Sequence, residues 1–313
     1  MGQHSEIQLA HSTGDTQADA LLRAFIAACA ATFPGRIRSY LLSGSYAAGD
    51  AIPESDFDLG VLFRDHVTDD EQARLHALVV DIEGAQTGES TLRLDVVALD
   101  EAHALPSAAA GLPEALPIYG DDVRSEMTLE PIERALERQL SAATYYIWQM
   151  RGKREGLVWP LEYPDPDGEF YGYERYGYFN GDDALEMYTP GCRTIINAAT
   201  MIATARLTHS GLRVPSKRRC IAMYAEFAPG ATADWLTQLY GACKGRWHYH
   251  IPDAPAERAL FRDLCAHMLA FENDFLAFAR PLNEEALALR DSYGWPRAQD
   301  RLRWIGYSAT AGE

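Results

Sequence analysis

Between Leu41 and Phe63 the chain reads LLSGSYAAGDAIPESDFDLGVLF. Two acids, Asp56 and Asp58, stand two residues apart at the head of the apolar run FDLGVLF. In a strand, residues i and i+2 share a face, so both carboxylates project from one side. Like charges held that close repel, and one is driven toward protonation unless something offsets them. A third acid, Asp95, stands alone in the apolar run TLRLDVVAL. An isolated acid in such a strand is costly to bury unless it is paired or bound to a metal. A chain with this pattern must bring the two strands together and supply a countercharge.

The simplest countercharge is a divalent cation. Mg²⁺ prefers hard oxygen ligands and commonly takes one or two carboxylates together with phosphate oxygens and water. The pattern therefore predicts Asp56, Asp58 and Asp95 as ligands of a site for in-line displacement at phosphorus. Gly44-Ser45 fits the same chemistry. A strand that ends in Gly-Ser at the mouth of a helical turn exposes backbone N–H groups and a hydroxyl, which suit an anion. The stretch is not a Walker A loop, because the GK[ST] ending is missing, and it is not GxGxxG.

Elsewhere the hydrophobic periodicity sets the organisation. Residues 16–33 repeat apolar positions at helical spacing and stop at Pro34-Gly35. IRSYLLSG reads as a buried strand, SYAAGD as a short helical turn, FDLGVLF as a second strand and TLRLDVVAL as a third. DDEQARLHALVVDIEGA is an amphipathic helix with Thr68 as N-cap and Glu71 three residues on. LPIYG is a candidate fourth strand. From Thr128 the character changes. A long helical pattern covers 129–155, further helices are predicted at 191–209, 216–227, 231–244 and 255–279, and no strand stands out among them. Between them, about 158–190, lies an insert rich in Tyr, Gly, Pro and acids, including Asp165, Asp167, Glu169, Asp182 and Asp183. A loop that long in a compact domain is usually functional or disordered, and its aromatics argue against disorder.

The formal net charge of −17 argues against a general nucleic-acid binder, which needs basic surface. It suits a cationic small substrate, whose local concentration an acidic cleft raises, and it equally suits a well-solvated surface. The five cysteines are odd in number and form no CxxC pair, so a disulfide framework or zinc site is not expected and a cytoplasmic location fits. No apolar run reaches the ~18 residues of a membrane span, so no membrane partner is expected.

GSYAAGDAIPESDFDLGVLF followed by RLDVVAL resembles the DNA polymerase β-like nucleotidyltransferase superfamily. Its pattern is Gly-Ser, a spacer, two alternating acids on a strand and a third acid on a later strand. Gly44, Ser45, Asp56, Asp58 and Asp95 match it position by position. The resemblance implies an α+β fold: a small mixed-sheet nucleotidyltransferase domain over 1–127, then an all-helical bundle domain over 128–313. Within the superfamily the chain looks most like the streptomycin/spectinomycin-type aminoglycoside adenylyltransferases. GLRVPSKRRCIAMY is similar to a segment in which a lysine, here Lys217, reaches the ATP phosphates. LTQLYGACKG is similar to a helix whose tyrosine, here Tyr240, packs near the nucleotide, and Ser55 matches a serine of the same pocket.

The resemblance implies an enzyme that moves AMP from Mg-ATP to a hydroxyl of a small cationic acceptor, with release of pyrophosphate. Asp56 and Asp58 would hold Mg²⁺, and Asp95 would act as metal ligand, as general base, or as both. The implied partners are ATP and the acceptor, with an aminoglycoside first in line. Two other readings stay open: AMPylation of a partner protein, as antitoxin-type relatives do, and a non-catalytic nucleotide sensor. The two histidines of RWHYHIP read as loop residues, because metal sites need three or four ligands. RRC at 218–220 reads as an exposed helix face.

Overall fold

The computed structural model describes residues 7–86, 92–152, 156–175, 177–179, 185–187, 190–290 and 292–307. Two compact units divide the chain. The first runs to Pro131 and also takes in Pro215–Arg218; the second comprises Ile132–Val214 and the residues from Arg219 on.

In the first unit, α1 (Thr16–Thr32) leads into β1 (Ile37–Leu42), the short α2 (Gly44–Ala48), β2 (Phe57–Phe63), α3 (Asp69–Gly84) and β3 (Leu94–Asp100). The one-turn α4 (Glu101–Ala104) and two 3₁₀ turns flank β4 (Leu116–Gly120). The strands form one mixed sheet in the order β3-β2-β1-β4. β1 pairs antiparallel with β2 and β4, whereas β2 and β3 are parallel. Parallel neighbours need a crossover connection, and α3 supplies it. The candidate fourth strand is therefore real and lies at the edge beside β1.

Alternation along β2 sorts its side chains. Phe57, Leu59, Val61 and Phe63 face the main core with Leu22, Phe25, Ile26 and Cys29 of α1 and Leu75 and Val79 of α3. Each fully buried large apolar side chain there contributes about 1.5–3 kcal/mol. The opposite face carries a smaller core of Leu41, Leu62, Ala115 and Val123, with Leu99 and Leu112 packed against it. Asp58, Gly60 and Leu62 thus share a face, and the acid sits at the end where the apolar cover gives out. The α3 cap is the one read from sequence. Thr68 Oγ1 accepts from the Glu71 amide at 3.2 Å, and Glu71 Oε2 accepts from the Thr68 amide at 3.0 Å. Glu71 also pairs with Arg36 at 2.7 Å.

The second unit is largely helical: α5 (Ile132–Met150), α6 (Arg193–His209), α7 (Lys217–Phe227, whose first two residues belong to the first unit), α8 (Ala231–Tyr240), α9 (Pro255–Ala288) and α10 (Gly294–Trp304). Its core includes Leu140, Ile147, Ile195, Ile202, Phe261, Met268 and Phe275. The expectation of an all-helical second half is corrected by four three-residue strands. β5 (Leu157–Trp159) pairs parallel with β8 (Ile305–Tyr307), and β6 (Gly177–Phe179) pairs antiparallel with β7 (Leu185–Met187). Runs of three residues carry too little periodicity to register in a sequence. α9 also passes the expected stop before Pro281. An interior proline costs about 3 kcal/mol, but Asn283 beyond it is buried and accepts from Arg301 Nε of α10 at 2.6 Å. That contact holds the continuation in place.

The described part of the insert is folded rather than loose. Phe170 and Tyr173 are buried, Tyr163 stacks on Tyr171 with ring centroids 4.3 Å apart, and Tyr173 donates to Glu272 of α9 at 2.7 Å. Arg151 closes a buried pair with the same Glu272 at 2.8 Å. All five cysteines are buried free thiols, and among the described residues no helix is long and apolar enough to cross a membrane.

The Arg151–Glu272–Tyr173 group makes a stability prediction. Removing one partner of a buried ion pair strands the other charge, at a cost of about 3–5 kcal/mol. Glu272→Ala is expected to lower the unfolding free energy of the second unit, read from urea denaturation, by that amount. The exposed Glu284→Ala, which removes only an i,i+4 pair with Arg280, is expected to change it by under about 1 kcal/mol.

Candidate active site

β2 and β3 run parallel with Asp58 opposite Asp95. Neighbouring strands lie about 4.8 Å apart, and side chains in register share a face. The third acid is therefore brought beside the DxD pair by strand pairing alone. Asp56 stands just before β2 on the same side as Asp58. Its position is fixed from both neighbours: the Phe57 amide donates to the Arg93 carbonyl at 2.8 Å, and Ser55 closes the preceding turn.

Gly44 shows how closely these parts fit. Its φ is +63°, a left-handed conformation that glycine adopts without penalty. A Cβ added there would fall 1.7 Å from Asp58 Oδ2. The Asp58 carboxylate thus rests against the Gly44 backbone, in the space a side chain would fill. The Asp58 carbonyl accepts from the Ser43 amide at 2.8 Å and from Ser43 Oγ at 3.1 Å. Two consecutive residues, one by side chain and one by backbone, tie the end of β1 to the acid strand.

α2 is stiffened in turn. The Tyr46 ring stacks on Phe57, the residue between the two acids, with centroids 4.1 Å apart and planes 18° from parallel. Gly49, in the left-handed region, ends the helix by donating to the Ser45 and Tyr46 carbonyls. Ser55 is buried, and its Oγ accepts from the Ile52 amide at 3.0 Å while its own amide donates to the Ile52 carbonyl at 2.8 Å. It shapes the turn that delivers Asp56.

The electrostatics match the geometry. The Asp95 carboxyl is raised above the ordinary carboxylate range, first by loss of water around it and next by the negative charge of Asp56. The positive charges of Arg93 and Lys217 oppose that rise. Asp95 is exposed as a residue, yet its carboxyl feels the charges of Asp56, Arg93 and Lys217. The phenol of Tyr46 is also raised, by burial and then by the charges of Asp15 and Asp56.

Lys217 therefore lies close enough to Asp95 to act on it, and it does so as part of the first unit. Arg218 beside it donates to the Ala48 carbonyl of α2 at 3.3 Å. Reading 218–220 as a wholly exposed face is corrected: Arg218 and Arg219 are exposed, but Cys220 is buried. Tyr240 ends α8 in the second unit. It is partly buried, with Lys244 Nζ 3.4 Å from its hydroxyl and 5.6 Å from its ring centre.

Among the described residues no group of three or more His, Cys, Asp or Glu side chains is arranged to hold a metal. Mg²⁺ needs only one or two carboxylates when phosphate and water complete its shell. The charge of Asp56 acting on Asp95, with Asp58 in register beside Asp95, is the arrangement a divalent cation relieves. His248 and His250 lie in a loop where His248 has φ +48°. Of the insert acids, Asp165 pairs with Arg175, and Glu169 accepts from Arg258 Nε at 2.8 Å. Those two carboxylates are already neutralised within the fold. Asp182 and Asp183 lie outside the described residues.

Residues 22–102 match the nucleotidyltransferase domain family. That stretch runs from within α1 through β3 and carries all three acids and Gly44-Ser45. No curated protein matches the chain in sequence. Two solved structures match it at low similarity. A spectinomycin adenyltransferase AAD(9) from Enterococcus faecialis, with ATP and spectinomycin, is 12% identical and covers 81% of this chain and 97% of its own at a TM-score of 0.44. A CD-NTase, CdnG from Bradyrhizobium diazoefficiens in complex with GTP, is 12% identical and covers 93% of this chain and 92% of its own at a TM-score of 0.25. Likenesses this distant say nothing of the acceptor.

Sequence reasoning did not single out Arg93, Tyr46 or Ser43. Arg93 was legible in principle, because it precedes Asp95 by two and so projects from the same side.

Two outcomes are expected. Gly44→Ala forces a left-handed alanine, at about 1–2 kcal/mol, and its methyl group displaces the Asp58 carboxylate. Melting should show a modest loss of stability, whereas nucleotidyl transfer should fall by orders of magnitude. Asp95→Asn tests the repulsion. Because the folded state raises the Asp95 pKa above the ordinary 3.8, ionisation of this group subtracts stability as pH rises above that value. The asparagine variant should therefore melt higher than wild type at pH 7, with the difference shrinking toward pH 4, while losing activity.

Proposed function

We propose that the protein transfers AMP from Mg-ATP to a hydroxyl of a small cationic acceptor, an aminoglycoside being the first to test. The observation that carries this reading is the register of Asp58 beside Asp95, with Gly44-Ser45 against Asp58. That register sets two of the three acids side by side, with the glycine-serine turn against one of them, which supports a site for a cation and phosphate.

In this reading Asp56 and Asp58 hold the cation through their carboxylate oxygens, and Asp95 completes that site. Bound there, Mg²⁺ neutralises phosphate charge. Gly44, Ser45 and Lys217 bind the triphosphate, with Ser55 as a further nucleotide contact. Asp95, with its raised affinity for a proton, takes the proton of the attacking hydroxyl. Most of the rate enhancement comes from holding the hydroxyl, the α-phosphorus and the pyrophosphate in line amid fixed charges. The net charge of −17 favours a cationic acceptor over a nucleic acid.

The test is incubation with labelled ATP, Mg²⁺ and a panel of aminoglycosides, read by mass spectrometry. The expected product is an acceptor heavier by one AMP, formed with Mg²⁺ and not with EDTA. Asp56→Ala and Asp58→Ala are each expected to lower the rate at least ~10³-fold, about 4 kcal/mol of transition-state stabilisation. Label on protein instead of drug would replace the acceptor with a partner protein. Tight ATP binding without pyrophosphate release under any condition would make the protein a sensor.

A further inference from the structure

Lys217 opens α7, far along the chain from the acids, yet it acts on Asp95 and belongs to the first compact unit. Only Pro215–Arg218 of the chain beyond Pro131 does so. Two contacts join this segment to the first unit. On one side, a Cβ built on Gly111 would fall 2.7 Å from the Pro215 carbonyl oxygen. Gly111 has φ −82° and ψ −21°, a conformation open to any residue, so the backbone there does not require glycine. What requires it is the carbonyl of Pro215 resting on its α-carbon. Gly111 is itself firmly held, because the next residue, Leu112, packs on the core of Leu41, Leu62, Ala115 and Val123 and starts a 3₁₀ turn.

On the other side, Arg218 Nη1 donates to the Ala48 carbonyl at 3.3 Å. Ala48 ends α2, and the last carbonyls of a helix have no partner within it. A basic side chain from elsewhere is a suitable cap. The same short helix begins with Gly44 and Ser45. Arg218 therefore links the residue beside the lysine to the far end of the helix that starts at Gly44-Ser45. Lys217 lies between the two contacts, with Pro215 two residues before it and Arg218 one after.

We infer that Gly111 and Arg218 are positioning residues for Lys217, which together clasp Pro215–Arg218 so that the lysine's charge falls beside the acids. The inference rests on the proposed role of Lys217 at the triphosphate and deepens it. A long, flexible ammonium side chain is a point charge with no geometric preference of its own. Its placement must come from the backbone that carries it, and the clasp fixes that backbone at both ends.

The test is equilibrium binding of Mg-ATP by titration calorimetry in the full chain, for wild type, Lys217→Ala, Gly111→Ala, Arg218→Ala and the doubles with Lys217→Ala. Lys217→Ala is expected to weaken binding about tenfold, the scale of one charge-assisted contact. Gly111→Ala and Arg218→Ala should each reproduce most of that loss, Arg218→Ala with unchanged melting temperature. Each double should be no weaker than Lys217→Ala alone, because the lysine is then already gone. A purely structural role would give losses that add in the doubles, and that result overturns the inference. If Lys217→Ala weakens binding but neither clasp variant does, the inference also fails while the reading of the site stands. If Lys217→Ala changes nothing, the proposed role of the lysine fails first. Should Gly111→Ala not fold, Arg218→Ala and Arg218→Gln decide the question, since an exposed arginine is not needed for the core.

Discussion

The close approach of Gly44 to Asp58 is the constraint on which the site depends. An acid strand can meet the end of another strand this tightly only if one residue gives up its side chain and adopts a left-handed turn. That contact sets where Asp58 points, fixes the start of α2 and brings Ser45 to the same spot. Ser43, bonded twice to the Asp58 carbonyl, ties the adjoining residue to the acid strand as well. Strand pairing does the rest, since β3 in register with β2 places Asp95 without any contribution from the side chains between them.

The cost of the arrangement is visible in Asp95. Its carboxyl loses water, feels a second carboxylate and is only partly compensated by Arg93 and Lys217. Folding tolerates this because the opposite face of the sheet buries Phe57, Leu59, Val61 and Phe63 against two helices. A site that holds like charges together in the free protein has a ready affinity for a cation and for the phosphates that accompany it. Stability spent there is the ordinary trade between a strained site and the core beneath it.

The second unit shows a different economy. Its insert carries many acids, but the described ones that contact other groups are matched within the fold, Asp165 by Arg175 and Glu169 by Arg258. Its aromatic residues pack on α9 around the buried Arg151–Glu272–Tyr173 group. The insert is thus held by its own chemistry, and a large negative net charge does not translate into free carboxylates at each acidic stretch.

The sequence by itself determined the alternation that puts Asp56 and Asp58 on one face, the glycine-serine turn before them, the Thr68–Glu71 cap and the helical character of the second half. Those are local properties, written in periods of two and 3.6 and in single capping residues. It did not determine the three-residue strands, which are too short to show a period, or the continuation of α9 past Pro281, where the buried Asn283 accepts from Arg301 of α10. Nor could it place Arg218 on Ala48 or Pro215 on Gly111. Those contacts join residues more than a hundred positions apart, and only the folded chain brings a lysine from the far side of the sequence to Asp95.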